Sequence, residues 1–530
     1  MEQQTLRVNA LRVAAEKLGF FRFGRLGDKV VLTNDAGDWH LLSAHDFAAF
    51  VEGRMEPEHP EYAALVQKCF VRDGADLDGL AERIGRKKRF LGVGPHLVVV
   101  ITTLRCNQSC CYCHASRADM SCVETDMTIE TAEKVVNHAL QSNSSYVNFE
   151  FQGGEPTVNI DVVRHIVDYA REKNKEIRGR RATEADSKHR FPVLESRPTE
   201  PVGPGVNGGI GKTIDFSLVT NMTAMTTEIA DWLIANDIYV CTSLDGPQEV
   251  HNWNRGWKKD SNAYEAVVHW IKYFRDRYIS MGRDPELWHV DALLTTTRKT
   301  LEHFKEVVDL YVSLGIRNLH LRPLNPFGFA EKSWRRVGYT MEEFLDFYAR
   351  ALDYIIELNK QGVQIIEGNA TVFLTKMLTP DDPNYVDIRS PCGAGTGQVA
   401  YGYDGKIYPC DEARMLAAMG DEMFNLGHLD SSTMVDTLQH PTIKTLMLAS
   451  LQDGLPGCDT CWNLPFCGVC PVYNYRVGGD VFGQRPQSAQ CKQYLAIAHL
   501  LMEHLANDED GQVAQIFSRW TVRRTRDEDS

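Results

Sequence analysis

The chain has 530 residues, 43% hydrophobic and 24% charged, and its 57 Lys and Arg against 71 Asp and Glu leave a formal charge of −14. That balance argues against a nucleic-acid binder or an anionic-membrane binder, both of which carry a basic face. No uncharged apolar run reaches the roughly 18 residues of a spanning helix, and the length suits two to four domains of roughly 100–200 residues.

Met1–Gly19 reads as a helix of mixed charge without the apolar core and cleavage site of a secretory signal, so a cytoplasmic location is expected. Strands follow at Phe21–Leu26, Lys29–Thr33 and Trp39–Leu42, the last two joined by the turn Asn34-Asp35-Ala36-Gly37. Ser43 caps a helix to about Gly53 with Phe47, Phe50 and Val51 on one face, and Tyr62–Phe70 forms another. This order suits a winged-helix-like module whose sheet edge can take a peptide as an added strand. The alternative is a scaffold subdomain without a ligand.

From about 96 to 330 strands and helices alternate. Strands are predicted at Leu97–Leu104, Tyr146–Phe151, Ile214–Thr220, Val240–Asp245, Val290–Thr297 and Leu319–Leu324. Helices are predicted at Ile129–Leu140, Ile160–Ala170, Glu228–Ala235, Ala263–Phe274 and Phe304–Val312. Such alternation implies an α/β fold with a parallel sheet, curled into a partial barrel, with its chemistry at the carboxyl ends of the strands. Residues 176–212, rich in Pro and Gly, read as an inserted loop. Its end, Gly211-Lys212-Thr213, is not a phosphate loop, because the required first glycine is Val206. Helices continue over 341–376, a cysteine-rich segment runs from about 390 to 495, a helix covers Tyr494–Leu505, and the last residues are expected to fray.

Fourteen cysteines carry the main functional signal. Cys69, Cys122 and Cys241 read as small buried hydrophobes. Cys106-Asn-Gln-Ser-Cys110-Cys-Tyr-Cys113 follows the first barrel strand. Three thiolates so spaced on one loop can reach three irons of a cubane and leave the fourth for a chelating ligand, with Cys111 pointing away. A zinc knuckle would need His114 as fourth ligand, an awkward tetrahedral neighbour for Cys113.

This loop resembles that of the radical S-adenosylmethionine (SAM) enzymes, with Tyr112 as the aromatic before the last cysteine. The resemblance continues through Gly153-Gly154-Glu155-Pro156, which implies the site of the methionyl amine of SAM, and Ser243-Leu-Asp245-Gly-Pro247, which places Ser243 near the ribose. Arg255 is a candidate clamp for the methionyl carboxylate. Asn221 and Leu294 match in position only, and a core or capping role is an equal expectation for each. The later cysteines resemble the SPASM extension of these enzymes, which implies two auxiliary four-iron clusters: Cys458, Cys461, Cys467 and Cys491 on one, Cys392, Cys410 and Cys470 on the other. Only two residues separate Cys467 from Cys470 where the family usually has three, and paired Cys-x2-Cys motifs also suit structural zinc. By resemblance to sulfatase-maturing relatives, Asp411 is the catalytic base; as a residue of Asp411-Glu412-Ala-Arg414 it also reads as a surface ion-pair turn.

Apart from 176–212, the chain looks most like the B-type radical SAM maturases of His-Xaa-Ser peptide systems, on phrases such as Thr242-Ser-Leu-Asp-Gly-Pro247, Leu321-Arg-Pro-Leu-Asn-Pro-Phe-Gly328 and Asp411-Glu-Ala-Arg-Met-Leu416. The domains expected are a peptide-recognition-like module (1–95), a radical SAM core (96–330), a helical bridge (331–389), a SPASM domain (390–507) and a tail (508–530). The resemblance implies a [4Fe-4S] cluster binding SAM, two auxiliary [4Fe-4S] clusters and hydrogen abstraction from a ribosomal precursor peptide, with a side-chain cross-link as the product. It implies as partners a ferredoxin or flavodoxin donor and a companion radical SAM maturase, with neither nucleic acid nor membrane. The rival expectations are formylglycine formation as in sulfatase maturases, a radical SAM reaction on a small metabolite, and a non-catalytic zinc or iron–sulfur module.

Overall fold

The computed structural model describes residues 14–180, 212–256, 262–485, 487–522 and 526. Most of the helix expected over 1–19, most of the 176–212 insertion and the last residues of the tail lie outside them.

The chain opens with an antiparallel sheet of β1 (Arg22–Leu26), β2 (Lys29–Thr33) and β3 (Trp39–Ser43), in that order. The Ser43 hydroxyl accepts from the Asp46 amide and starts the helix Ala44–Val51; Tyr62–Gln67 and Leu77–Lys87 follow, the last not foreseen. Leu32, Leu42, Phe50, Leu65 and Phe70 close a small core under the sheet.

Six parallel strands then lie side by side in chain order: β4 (Leu97–Thr103), β5 (Tyr146–Gly153), β6 (Thr213–Thr220), β7 (Tyr239–Ser243), β8 (Asp291–Thr295) and β9 (Asn318–Arg322). β10 (Ile366–Glu367) continues the sheet beyond β9. On the other side β11 (Gln398–Tyr401) pairs parallel to β4, followed by β12 (Lys406–Tyr408) and β13 (Gly427–His428). The β11–β12 hairpin was legible from Asp404-Gly405; its pairing with β4, which fastens the cysteine-rich segment to the barrel edge, was not.

Period-two alternation decides what the strands present. In β5, Val147, Phe149 and Phe151 are fully buried, while Asn148, Glu150 and Gln152 are half-buried on the other face. The same alternation puts Ser217, Cys241, Ser243, Thr295, His320 and Arg322 on the open inner face of the curled sheet. The barrel interior is therefore polar. The helices Ile160–Arg180 and Ala263–Ser280 run well past their expected ends, and Gln512–Trp520, an unforeseen helix early in the expected tail of 508–530, buries Val513, Ile516, Phe517 and Trp520. Among the described residues no helix is long and apolar enough to cross a membrane.

Candidate active site and cysteine centres

The loop after β4 is built around the end of β5. Gly153 has φ +138°, and a Cβ there would sit 2.1 Å from the Thr103 carbonyl oxygen; a Cβ on Gly154 would sit 2.3 Å from the carbonyl oxygens of Leu104 and Arg105. The Gly154 and Glu155 amides donate to the carbonyls of Thr103 and Arg105 at 2.8 Å each. The glycines thus admit the cysteine loop itself, a closer neighbour than the ligand expected there. Glu155 is fully buried, its oxygens accepting from the Thr157 amide and hydroxyl, the Thr220 hydroxyl (2.7 Å) and the Asn221 amide (2.7 Å). Its carboxylate locks the ends of β5 and β6 together. Pro156 is buried beside it.

Cys106, Cys110 and Cys113 interact electrostatically with one another, whereas the charges that act on Cys111 are Arg336, Asp245 and Arg255, and its side chain packs on the hydrophobic core. Burial pushes the Cys106 thiol up to about 12 and raises Cys110 further. Thiols so placed ionise only when a cationic metal group binds them, and that is the chemistry of this donor set. Asn221 reaches in with Nδ2 3.6 Å from Cys106 Sγ. Gly328 and Phe329 cover the loop from the other side, the Phe329 amide donating to the Cys113 carbonyl at 2.8 Å.

Asp245 is the hub of the site. Wholly buried, it accepts from the Tyr112 hydroxyl (2.5 Å), Arg255 Nε (3.0 Å) and Asn254 Nδ2 (3.2 Å), and the Thr295 amide lies 3.3 Å from it. Its partner Arg255 is 7% exposed and points Nη1 at Cys110 Sγ, 3.8 Å away. The guanidinium expected to clamp a carboxylate thus spends two of its nitrogens on Asp245. Ser243 stands half-buried on the inner face of β7. Leu294 lies on the opposite face, fully buried in the core, because the alternation of β8 gives the inner face to Leu293 and Thr295.

The later cysteines gather into two sets. Cys458, Cys461, Cys467 and Cys491 line one cavity. Cys392, Cys410 and Cys470 act on one another electrostatically at a second place, with burial pushing Cys392 and Cys467 up to about 12. Among the described residues no three or more His, Cys, Asp or Glu side chains converge as one metal ion would require. A zinc ion would take the four thiolates of one set on a single centre, and a four-iron cluster would take each on its own iron.

Asp411 Oδ1 accepts from Arg414 Nε (3.0 Å) and Nη2 (2.6 Å), with the two side chains only 14% and 4% exposed. The pair is buried, which corrects the surface-turn expectation. Its neighbour Glu412 escaped sequence reasoning: burial and the carboxylates of Asp411 and Asp387 push it up to about 7. Also unforeseen is a polar cavity at the end of β9, lined by Arg322, Asn325, Tyr385, Asp387, Tyr473 and Gln493. The Leu321-Arg-Pro phrase was its only trace in the sequence.

Residues 100–310 match the family described as the radical SAM superfamily. The cysteine-type anaerobic sulfatase-maturating enzyme of Clostridium perfringens is 22% identical over 347 residues, 63% of this chain and 77% of that one. An uncharacterized protein of Archaeoglobus fulgidus is 26% identical over 318 residues, 59% of this chain and 69% of that one. Among solved structures, anSMEcpe with bound AdoMet and Kp18Cys peptide aligns with TM-score 0.59 at 18% identity, over 80% of this chain and 100% of that one. SuiB of Streptococcus suis bound to its precursor peptide SuiA aligns with TM-score 0.50 at 13% identity, over 89% and 99%. These likenesses show the fold: a mixed α/β chain with a radical SAM barrel of six parallel strands, a three-stranded antiparallel sheet before it and a cysteine-rich extension after it of the SPASM type.

Proposed function

Taking the chain as a radical SAM enzyme of the maturase type, we propose that it abstracts a hydrogen from a ribosomally made precursor peptide and installs a side-chain cross-link, as a B-type maturase of a His-Xaa-Ser system. In this reading residues 1–95 grip the leader, 96–330 perform the radical chemistry, 331–389 bridge, and 390–507 carry the auxiliary centres. A ferredoxin or flavodoxin supplies electrons, and a companion radical SAM maturase works on the same precursor.

Cys106, Cys110 and Cys113 would hold the SAM-binding cluster, Cys392, Cys410 and Cys470 one auxiliary cluster, and Cys458, Cys461, Cys467 and Cys491 the other. Bound there, the clusters and SAM supply sulfonium cleavage, hydrogen-atom abstraction and an electron sink. The chain's own residues do the positioning. Asp245 holds Arg255 against Cys110 and the Tyr112 ring beneath it, at 5.4 Å from the guanidinium. Glu155 and Asn221 fix the mouth of the barrel at Cys106. Ser243 and the backbone of Gly153–Pro156 would hold SAM. Asp411, with Oδ1 engaged by Arg414, accepts the substrate proton at Oδ2.

The observation that carries this reading is the gathering of ten cysteines into three separate sets around one polar barrel. Fold likeness to SuiB, whose structure holds a precursor peptide, favours a peptide substrate. The test is co-expression with candidate precursors and mass measurement of the product. Loss of two hydrogens supports a cross-link, and an unaltered mass across all precursors refutes it. The similarity to cysteine-type sulfatase-maturating enzymes favours a second reading, formylglycine formation: from Cys it also exchanges sulfur for oxygen, and from Ser it too removes two hydrogens, so fragment spectra that put the loss on one residue rather than on a linked pair identify it.

A further inference from the structure

The N-terminal sheet is joined to the loop that carries Cys458 and Cys461. Arg22, the first residue of β1, is only 6% exposed. Its Nε donates to the Asp459 carbonyl at 2.6 Å, and Nη1 pairs with Asp35 in the β2–β3 turn at 2.6 Å. Nη2 lies 3.7 Å from Asp453, just before the same loop. Thr33, the last residue of β2, donates a buried hydrogen bond to the Trp462 carbonyl at 2.7 Å. Gly24 lies so close to the Trp462 indole that a Cβ would stand 2.1 Å from the ring. Residues 459 and 462, which flank Cys461, are thus held from the N-terminal module, and the Arg22 charge is close enough to act on the Cys461 thiol.

A four-thiolate cluster carries net negative charge, and adding an electron makes it more negative. A nearby buried cation therefore stabilises the reduced form more than the oxidised one. We propose that Arg22 is a positioning residue of the Cys458–Cys461–Cys467–Cys491 centre, so that the module otherwise suited to gripping a peptide also completes an auxiliary cluster site. Replacing Arg22 removes the positive charge and strands two carboxylates, Asp35 and Asp453, beside the loop. Both changes push the reduction potential the same way.

The inference rests on reading those four cysteines as cluster ligands, and the experiment separates the two. The full chain is reconstituted anaerobically as wild type, Arg22→Gln, Arg22→Lys and Thr33→Val. Iron is counted, and each cluster is followed by EPR during redox titration. Three four-iron clusters give about twelve irons in the wild type; a wild type without a cluster on the four cysteines overturns the reading and the inference with it. Given that cluster, Arg22→Gln is expected to shift its potential to more negative values, or to lose its signal alone. Arg22→Lys, which keeps the charge but not the fork, is expected to return the potential toward wild type. Thr33→Val, which loosens the loop without changing charge, is expected to leave it in place. A wild-type potential in Arg22→Gln overturns the inference, as does an equal shift in Arg22→Lys and Arg22→Gln.

Discussion

Replacing Asp245 by Asn tests the hub of the site. The substitution keeps shape and one acceptor oxygen but removes the charge opposite Arg255, which is 7% exposed and has Asp245 as its ion-pair partner. Removing one partner of a buried ion pair costs about 3–5 kcal/mol, mostly from the stranded charge. The near-isosteric Asn, still able to accept from Tyr112, places the expected loss toward about 3 kcal/mol. At 1.4 kcal/mol per tenfold, that raises the local opening equilibrium by roughly a hundredfold. Hydrogen–deuterium exchange of peptides spanning 106–113 and 245–255 reads it directly, because Asp245 ties those segments together. Adding Arg255→Met removes the stranded cation, so the double variant should recover protection, with a coupling of about 2 kcal/mol or more. Unchanged exchange in Asp245→Asn, or additive effects in the double variant, would refute the hub.

Gly154→Ala is predicted to lower the iron bound at the first centre with every cysteine intact, since its methyl would collide with the Leu104 and Arg105 carbonyl oxygens at 2.3 Å. Iron content per chain against a Gly85→Ala control, where a Cβ meets nothing within 4 Å, checks it. A pH effect is expected where the N-terminal module meets the helix Gly368–Leu378: Lys87 donates to the Lys376 carbonyl and is pushed down from 10.5 to about 8, by burial first and then by Lys376. Between those values the unfolded chain binds the extra proton, so stability rises with pH from about 8 to 10 and is flat for this group below 8. Melting temperatures of Lys87→Met across that window should show a shallower rise than the wild type; parallel curves would contradict the assignment.

The sequence was most informative where chemistry and local pattern coincide. All six barrel strands and the cysteine loop were legible because period-two patterning and thiol spacing are local properties. The roles of Glu155 and Asp245 were not, because each has partners far along the chain: Thr220 and Asn221 for one, Tyr112 for the other. A carboxylate in a motif reads as a ligand contact until its acceptor capacity is counted, and here the chain itself takes much of it. Leu294, read equally as a site residue or as core, lies in the core, one residue of strand register from the inner face. The docking of residues 20–43 on the last cysteine loop left no local signature. It also means that deleting residues 1–95, which would otherwise separate peptide from small-molecule substrates, disturbs a cysteine centre at the same time.

The central claim is that Cys106, Cys110 and Cys113, without Cys111, hold a cluster with a corner open to SAM. The direct measurement is 5′-deoxyadenosine released from SAM by the anaerobically reduced protein, compared among wild type, Cys113→Ala and Cys111→Ser. The account predicts release by the wild type and by Cys111→Ser and none by Cys113→Ala. Release by Cys113→Ala at the wild-type rate, or none by the iron-loaded wild type, would contradict it.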